Sequence, residues 1–223
     1  MSDLTNLEDL VELHLQDTGN LVFSTSQIDA AIRLSLMDYS LAIPNNKQSI
    51  LTSAVDGAEI SLSSLPSFQF IVSAWWPWST TKDLPDQDPN NILSWSVMSD
   101  SGSISLSLVT FSGVPLTGDK IRLHYAAFHT ITGLAESSGG SAATSTSVPL
   151  VHFSLLAKGA AGYALLANAG NRDDVLKPDL LIKLAGEWLK NYRDSLSLLS
   201  SYLASDSSSF LRWPGMDKYD RIV

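Results

Sequence analysis

Four histidines, at positions 14, 124, 129 and 152, are the side chains of this sequence best suited to bind a metal or transfer a proton. His124 and His129 fall five residues apart on one predicted strand, so their side chains should point to opposite faces. Ligands on opposite faces cannot share a metal unless the strand contains a bulge. The sequence also has no cysteine that could complete a thiolate site. We therefore expect no metal site and interpret the histidines as structural or surface residues.

The sequence contains none of the short motifs that mark common active sites. There is no HExxH zinc helix, no glycine-rich phosphate loop followed by lysine, and no GxSxG nucleophile elbow. We therefore predict that the protein is not an enzyme and uses no cofactor. A hydrolase without a recognisable motif is the function that we favour least, because no preorganised set of titratable groups is visible. The two other hypotheses, a binding module and a structural protein, are described below.

The segment Trp75-Trp76-Pro77-Trp78 is the most unusual short stretch of the chain. Exposed indole faces on a β-sandwich can stack on sugar rings, so one hypothesis is a carbohydrate-binding or receptor-binding module. Side chains alternate along a strand, however, and Trp75 and Trp76 should therefore point in opposite directions. This alternation favours core packing and contacts between proteins. We prefer the second interpretation and take Trp76 and Trp78 as candidates for packing between subunits.

A helix from Phe23 to Pro44 is the element around which we expect the chain to pack. Ser24 and Gln27 have capping-box spacing at its start, and Pro44 cannot continue its hydrogen-bond ladder. Two apolar stripes run along it, one made of Ile28, Ala31, Ile32, Ser35, Leu36, Tyr39 and Ile43 and the other of Leu34, Met37 and Leu41. Two stripes predict a helix that is covered on both sides.

An earlier helix, from about Leu7 to Leu15, should form a helical hairpin with this one. Thr5 and Glu8 have capping-box spacing, and residues 17–20 read as a turn. The hairpin cannot bury both apolar stripes of its second helix by itself. We therefore expect a later helix of the chain to cover the second stripe.

The apolar period changes from 3.6 to 2 after residue 47, which predicts a β domain. Ile104, Leu106 and Leu108 alternate with serines, as expected for a strand with one buried face. No helical crossover fits between the strands, so we expect an antiparallel sandwich or barrel. The predicted strands are Gln48–Ser53, Glu59–Leu65, Phe68–Trp78, Ile92–Met98, Ser103–Phe111 and Lys120–His129.

Two helices are predicted after the β domain. The first begins near Pro149 and is rich in glycine and alanine, so that another backbone can approach it closely. We take Gly159 and Gly162 as further candidates for packing between subunits. The second should begin at Pro178 and end near Leu203.

The last segment of the chain has apolar residues but no period that predicts a helix or strand. Apolar residues in an irregular terminal segment are hard to bury within their own chain, which suggests docking into a partner. The candidate docking residues are Phe210, Leu211, Trp213, Pro214, Met216 and Tyr219.

Composition excludes some classes of function. The chain has 14 Lys and Arg residues against 23 Asp and Glu residues, a formal net charge of −9. Tight DNA binding depends on neutralising phosphates, which an acidic surface cannot do. No run approaches the ~18 uninterrupted apolar residues of a membrane span, so we expect no membrane association.

These elements together predict an α+β fold in which a helical bundle carries an inserted antiparallel β domain. The predicted bundle comprises residues 1–46 and 148–204, with residues 47–147 as the insertion and residues 205–223 as an extended docking tail. In this arrangement the helix from Phe23 to Pro44 is a central strut between the N-terminal helix and a later one.

The order of elements resembles the head-to-tail connector proteins of tailed bacteriophages, which are also called portal adaptors or neck proteins. Three stretches carry the resemblance: F23-S-T-S-Q-I-D-A-A-I-R-L-S-L-M-D-Y-S40, I121-R-L-H-Y-A-A-F-H-T130 and V148-P-L-V-H-F-S-L-L-A-K-G-A-A-G-Y-A164. Members of this class often have tryptophan where Phe23 stands, and many have a shorter β region. The second difference leaves open whether the chain is an adaptor or another neck protein.

The resemblance implies a structural role in the virion at the head-tail interface, after assembly in the host cytoplasm. It implies a homo-oligomeric ring of twelve copies that binds the portal protein and contacts tail or neck proteins. DNA would pass through the ring without specific binding. The C-terminal segment of such proteins commonly inserts into the portal, which here would be Phe210 to Val223.

Overall fold

The computed structural model describes residues 3–19, 21–78, 90–100, 103–135, 141–171 and 178–210. Within them the chain forms four α-helices and six strands in two antiparallel sheets, which confirms the α+β prediction. The helices are α1 (Asp3–Leu15), α2 (Thr25–Ala42), α3 (Phe153–Asn171) and α4 (Pro178–Phe210). The strands are β1 (Asn45–Thr52), β2 (Glu59–Ser61), β3 (Phe68–Trp75), β4 (Ile92–Asp100), β5 (Ser103–Thr110) and β6 (Lys120–Ala127).

The chain divides into a helical unit, residues 1–43 and 129–223, and a β unit, residues 44–128. The predicted β domain therefore ends too late, because residues 129–147 belong to the helical unit. Ile131, Leu134 and Val148 are buried in the helical core, and the His129 backbone N–H donates to Ser40 Oγ at 3.0 Å. This segment contains no helical periodicity, so its packing against helices could not be read from the sequence.

The start and the end of α2 agree with the sequence signals. Ser24 is the N-cap, and its backbone N–H donates to Gln27 Oε1 at 2.9 Å. The helix ends at Ala42, and the Ile43 N–H donates to the Tyr39 carbonyl just before Pro44. The predicted cap of α1 is wrong, because α1 begins at Asp3 and Thr5 lies inside it.

A buried carboxylate organises the turn between α1 and α2. Asp17 accepts hydrogen bonds from the backbone N–H groups of Leu21, Val22 and Phe23 at 2.8 to 3.0 Å. These hydrogen bonds favour the charged carboxylate and hold the pKa of Asp17 below its usual range. The bond from the Phe23 N–H contributes most to this shift. Asp17 thereby fixes the chain immediately before the first turn of α2.

Helix α3 is the centre of the helical unit, since it packs against α1, α2 and α4. Its Leu156, Ala157, Ala160 and Ala161 side chains are fully buried. The segment Leu150–Ala169 has a mean hydropathy of 1.4, and it is long and apolar enough to span a membrane by length and composition alone. Half of this segment is buried inside the protein, and packing on three sides accounts for its apolar composition.

The β unit contains two three-stranded antiparallel sheets, in the orders β1-β6-β3 and β2-β5-β4. Leu51 lies opposite Ile121 in the first sheet, and Ile60 lies opposite Leu106 in the second. These four side chains are buried in one shared apolar core. The predicted β4–β5 hairpin is confirmed, but β6 pairs between β1 and β3, an order that strand spacing alone did not indicate.

Candidate functional site

The outer face of α2 carries an uncovered row of apolar side chains, which we call the outer seam: Ala30, Leu34, Met37 and Leu41. The last three are 48%, 52% and 62% exposed, and Ala30 is exposed as well. The opposite face of α2 is buried, so the prediction that both apolar stripes are covered within the chain is wrong. The physical reason is that α4 contacts α2 from the inner side, where Tyr192 Oη donates to the Ser35 carbonyl at 2.6 Å.

The spacing of the outer seam is that of a helix-pairing surface. Its residues follow one another at intervals of four, three and four, as positions a and d do in a coiled coil. A row of this kind is matched in shape by another helix. The seam therefore has the geometry of a helix-packing face without a helix on it in the described part of the chain.

Helix α4 continues well beyond the body of the helical unit. Leu196 is the last buried residue among those whose side chains are described, and the helix then runs to Phe210. This distal segment of α4, residues 197–210, is about 20 Å long at 1.5 Å per residue. Leu198 and Leu203 on it are 72% and 45% exposed. The distal segment is thus a second uncovered apolar surface.

The prediction that the docking tail begins at residue 205 is wrong. Residues 205–210 are helical and belong to α4, so the extended tail cannot begin at residue 205. Phe210 is the last residue of that helix. The remaining candidates, Leu211, Trp213, Pro214, Met216 and Tyr219, lie outside the described residues and stay predictions.

The two glycines predicted to pack between subunits pack within the chain instead. A Cβ atom at Gly159 would lie 2.5 Å from Ser35 Oγ and 2.7 Å from the Tyr192 ring. A Cβ atom at Gly162 would lie 3.0 Å from the Leu189 side chain. The prediction that α3 needs a close helical neighbour is correct, but α2 and α4 of the same chain supply it.

The tryptophan cluster is divided between the core and the surface of the β unit. Trp76 is 7% exposed and packs in the core, and its Nε1–H donates to Asp119 Oδ2 at 3.2 Å. Trp76 is therefore neither a subunit contact nor a sugar-stacking face. Trp78 is half-buried, with the Arg122 guanidinium 4.6 Å from its ring centroid. The Arg122 guanidinium therefore covers one face of the Trp78 indole. A carbohydrate-binding module would need an open indole face to stack on a sugar ring.

The histidines do not gather into one site. His124 lies on β6, whereas His129 lies beyond the end of that strand and in the helical unit, so the two do not share a strand as predicted. His14 sits edge-on to Trp188, with ring centroids 6.0 Å apart, and burial lowers its pKa, with Lys158 adding to the effect. Among the described residues, no group of three or more His, Asp or Glu side chains could hold a metal ion.

A buried polar cluster that sequence reasoning missed ties α2 to the segments around α3. Tyr39 Oη lies 2.6 Å from His152 Nδ1, and the Tyr39 ring meets His129 edge-on at 5.1 Å. His129 Nε2 donates to the Ile43 carbonyl at 3.0 Å, and its Nδ1 lies 3.0 Å from Ser147 Oγ. Burial raises the pKa of Tyr39 to about 12. Tyr39 Oη and both ring nitrogens of His129 have hydrogen-bond partners, so we interpret the cluster as structural.

A second missed cluster joins three helices at the surface. Asp38 on α2 accepts a short hydrogen bond from Tyr163 on α3, and Arg193 on α4 lies 3.6 Å from the same carboxylate. Burial and Asp38 raise the pKa of Tyr163. No spacing along the sequence links these residues, because each comes from a different helix.

Strand β4 adds an uncovered surface in the β unit. It forms one end of its sheet, and among the described strands it pairs with β5 alone. Leu93, Trp95 and Val97, at alternate positions of β4, are exposed by 53%, 37% and 44%. A long apolar edge strand of this kind can pair with a strand of another chain.

The outer seam, the distal segment of α4 and the edge of β4 are thus apolar surfaces that the described residues leave uncovered. Of the titratable groups described above, Asp17, Asp38 and Tyr39 hold parts of the helical unit together. Comparisons of the sequence with protein-family models and with curated proteins find no match.

Proposed function

We propose that this protein is a structural virion component that forms a ring between the portal of a phage head and the tail. The observation that carries the proposal is the pair of apolar helix surfaces that the described part of the chain leaves uncovered, the outer seam and the exposed leucines of the distal segment of α4. Monomeric proteins rarely leave such surfaces bare, and neighbouring subunits are their usual cover. The resemblance to head-to-tail connectors indicates that this assembly is a ring bound to the portal.

The order of elements supports the same proposal. Two N-terminal helices, an inserted β unit and two further helices follow one another along the chain, as the resemblance requires. The β unit is inserted between Ile43 and His129, and α1, α2 and α4 of the helical unit pack around α3. A ring subunit can use one unit for ring contacts and leave the other for different neighbours.

The charge of the chain suits a ring through which DNA moves. The formal net charge is −9, and an acidic surface does not retain a polyanion. The clusters around Tyr39 and Asp38 are structural, so the proposal needs no chemistry from them. The predicted ring of twelve copies and its contacts with tail or neck proteins belong to this proposal.

An attachment assay tests the proposal through the C-terminal segment. The full chain and a variant that ends at Phe210 are each mixed with a purified portal ring and sedimented. We expect the full chain to co-sediment and the shortened variant to stay in the supernatant with an unchanged melting temperature, because α4 is still intact. A variant whose residues 211–223 are scrambled controls for length and composition.

Two results would contradict the proposal. Failure of the full chain to associate with any portal ring, at concentrations where both are soluble, would remove the connector role. Equal attachment of the full and shortened chains would remove the docking role of residues 211–223 while leaving the ring in place.

A further inference from the structure

A cavity of about 230 Å³ opens between α1, α3 and α4 of the helical unit. We infer that this cavity binds a small aromatic carboxylate, a ligand with one ring and one short acid group. The inference does not depend on the proposed ring and adds a ligand site to the helical unit. The side chains that line the cavity come from all three helices and include His14, Leu155, Lys158, Trp188, Asn191 and Tyr192.

The cavity exists because α1 and α4 both pack on α3 and, in the described part of the chain, scarcely meet each other. Gly159 lets α4 come close to α3, since a Cβ atom at this position would lie 2.7 Å from the Tyr192 ring. Tyr192 is almost fully buried, and its Oη donates to the Ser35 carbonyl at 2.6 Å. The Tyr192 ring is therefore a fixed floor, and the cavity is formed before a ligand enters it.

The walls of the cavity are aromatic and aliphatic. His14 and Trp188 are both half-buried, and their rings meet at 81° with centroids 6.0 Å apart. Leu155 is also half-buried and, like Trp188, packs against the helical core with part of its side chain. Aromatic side chains pack favourably on other rings, so a planar ring is the apolar group that these walls suit best.

Two basic side chains give the cavity its positive charge. Lys158 is exposed and, within the described part of the chain, makes no ion pair or hydrogen bond. Its charge repels that of protonated His14 and adds to burial in lowering the pKa of His14. None of the described residues that line the cavity is acidic, although the chain contains 23 Asp and Glu residues. A carboxylate bound here would pair with Lys158 and relieve this repulsion.

The size of the cavity narrows the class of ligand. Pockets for drug-sized ligands measure about 300–1,000 Å³, so about 230 Å³ admits one ring with a short acid group and excludes a nucleotide. The exposed side-chain amide of Asn191 can donate a further hydrogen bond to the acid. An inorganic anion would leave the apolar walls without a contact.

An NMR titration of the full chain with phenylacetate tests the inference through the ring signals of His14. The chain has four histidines, and the signal that disappears in His14→Gln is that of His14. At pH 6 we expect a saturable shift with a Kd near or below about 1 mM for a ligand of about ten non-hydrogen atoms. Phenylacetamide, which has the same shape without the charge, should bind at least about tenfold more weakly.

The pH dependence of binding gives a second readout. Among the described residues that line the cavity, only His14, Lys158 and Tyr192 can titrate, and the Tyr192 hydroxyl is bonded to Ser35. Bound phenylacetate should raise the pKa of His14, because a neighbouring carboxylate favours the charged imidazole. Affinity should therefore increase as the pH falls through the pKa of His14, and His14→Gln should lose this dependence.

Lysine variants identify the group that binds the acid. Lys158→Met keeps the length of the side chain and removes its charge, so the affinity for phenylacetate should fall about tenfold. Its melting temperature should not change, because Lys158 is exposed and holds no ion pair among the described residues. Lys183→Met is the matched control, since Lys183 is an exposed lysine of α4 outside the cavity, and it should bind as the wild-type chain does.

Three results would overturn the inference, and none of them involves a portal. An unchanged His14 signal up to about 20 mM phenylacetate would show that the cavity does not bind this class of ligand. Equal affinities for phenylacetate and phenylacetamide, or for the wild-type chain and Lys158→Met, would show that the acid group is not recognised. Acetate that binds as tightly as phenylacetate would show that the aromatic walls contribute nothing.

Discussion

Helices α2 and α3 have similar lengths and are both rich in apolar residues, but they occupy opposite positions in the helical unit. Helix α3 is surrounded by three helices, whereas α2 is covered on one face and bare on the other. The difference follows from side-chain size. Gly159, Ala160 and Ala161 allow neighbours to approach α3 from several sides. Leu34, Met37 and Leu41 of α2 are large side chains that no described residue covers.

This comparison shows what an apolar stripe does and does not indicate. A stripe indicates that a surface packs on something, and the spacing indicates that the partner is a helix. It does not indicate whether that helix belongs to the same molecule. The predicted central strut was α2 because it has two stripes, and the actual centre is α3 because its residues are small.

The largest expected effect comes from shortening matched leucines on the two helices. Leu156 of α3 is fully buried, so Leu156→Ala should lower the free energy of unfolding by about 2–5 kcal/mol. Leu34→Ala on the outer seam should change it by no more than about 0.5 kcal/mol. Urea unfolding of both variants at low protein concentration measures the difference, and equal losses would show that the seam is buried in the monomer.

Glycine substitutions test the packing of α3 more finely. Gly159→Ala should destabilise the protein by about 1–3 kcal/mol, because its methyl group collides with Ser35 and Tyr192. Gly186 lies on an exposed part of α4 with nothing within 4 Å of its Cβ position. Gly186→Ala should therefore stabilise the protein by about 0.5–1 kcal/mol. Thermal melts of the two variants should shift in opposite directions, and a neutral Gly159→Ala would refute the close approach of α2 and α4.

The smallest expected effect depends on pH and concerns the contact between α1 and α2. Burial raises the pKa of Glu8 to about 7, and the nearby carboxyl of Asp29 adds to the shift. The folded protein therefore holds a proton on Glu8 that the unfolded chain releases above pH ~4.5. The contribution of Glu8 to the free energy of unfolding is therefore fully present below pH ~4.5 and is lost as the pH rises to about 7.

A pH series of melting temperatures checks this expectation. The wild-type protein should lose melting temperature between pH 5 and 8 relative to Glu8→Gln, which cannot ionise. Glu12→Gln is a suitable control on the same helix. Parallel curves for the wild type and Glu8→Gln would show that Glu8 carries no shifted pKa.

Local signals in the sequence predicted which elements exist and several of their boundaries. Ser24 and Gln27 gave the start of α2, Pro44 gave its end, and the alternation around Leu106 gave β5. Contacts between residues far apart in the chain could not be predicted from these local signals. The position of β6 between β1 and β3, and the packing of Ile131, Leu134 and Val148 on helices, depend on contacts between residues far apart in the chain.

The candidate surfaces were only partly visible in the sequence. Leu34, Met37 and Leu41 were recognised as a stripe, but a burial pattern cannot separate a partner in the same chain from a partner in another. Tyr39, His129 and His152 were missed as a group because they are brought together by folding, and none of them belongs to a motif. The helical state of residues 205–210 was missed because serine and aspartate disfavour helix in isolation.

The most direct test of the account is the mass of the particle formed on a purified portal ring by the full chain and, in parallel, by the Leu34→Glu, Leu41→Glu double variant. Native mass spectrometry measures both. We predict a ring-sized complex for the wild-type chain and, for the variant, single subunits or none on the portal. Particles of the same mass from both proteins would contradict the claim that the outer seam joins neighbouring subunits.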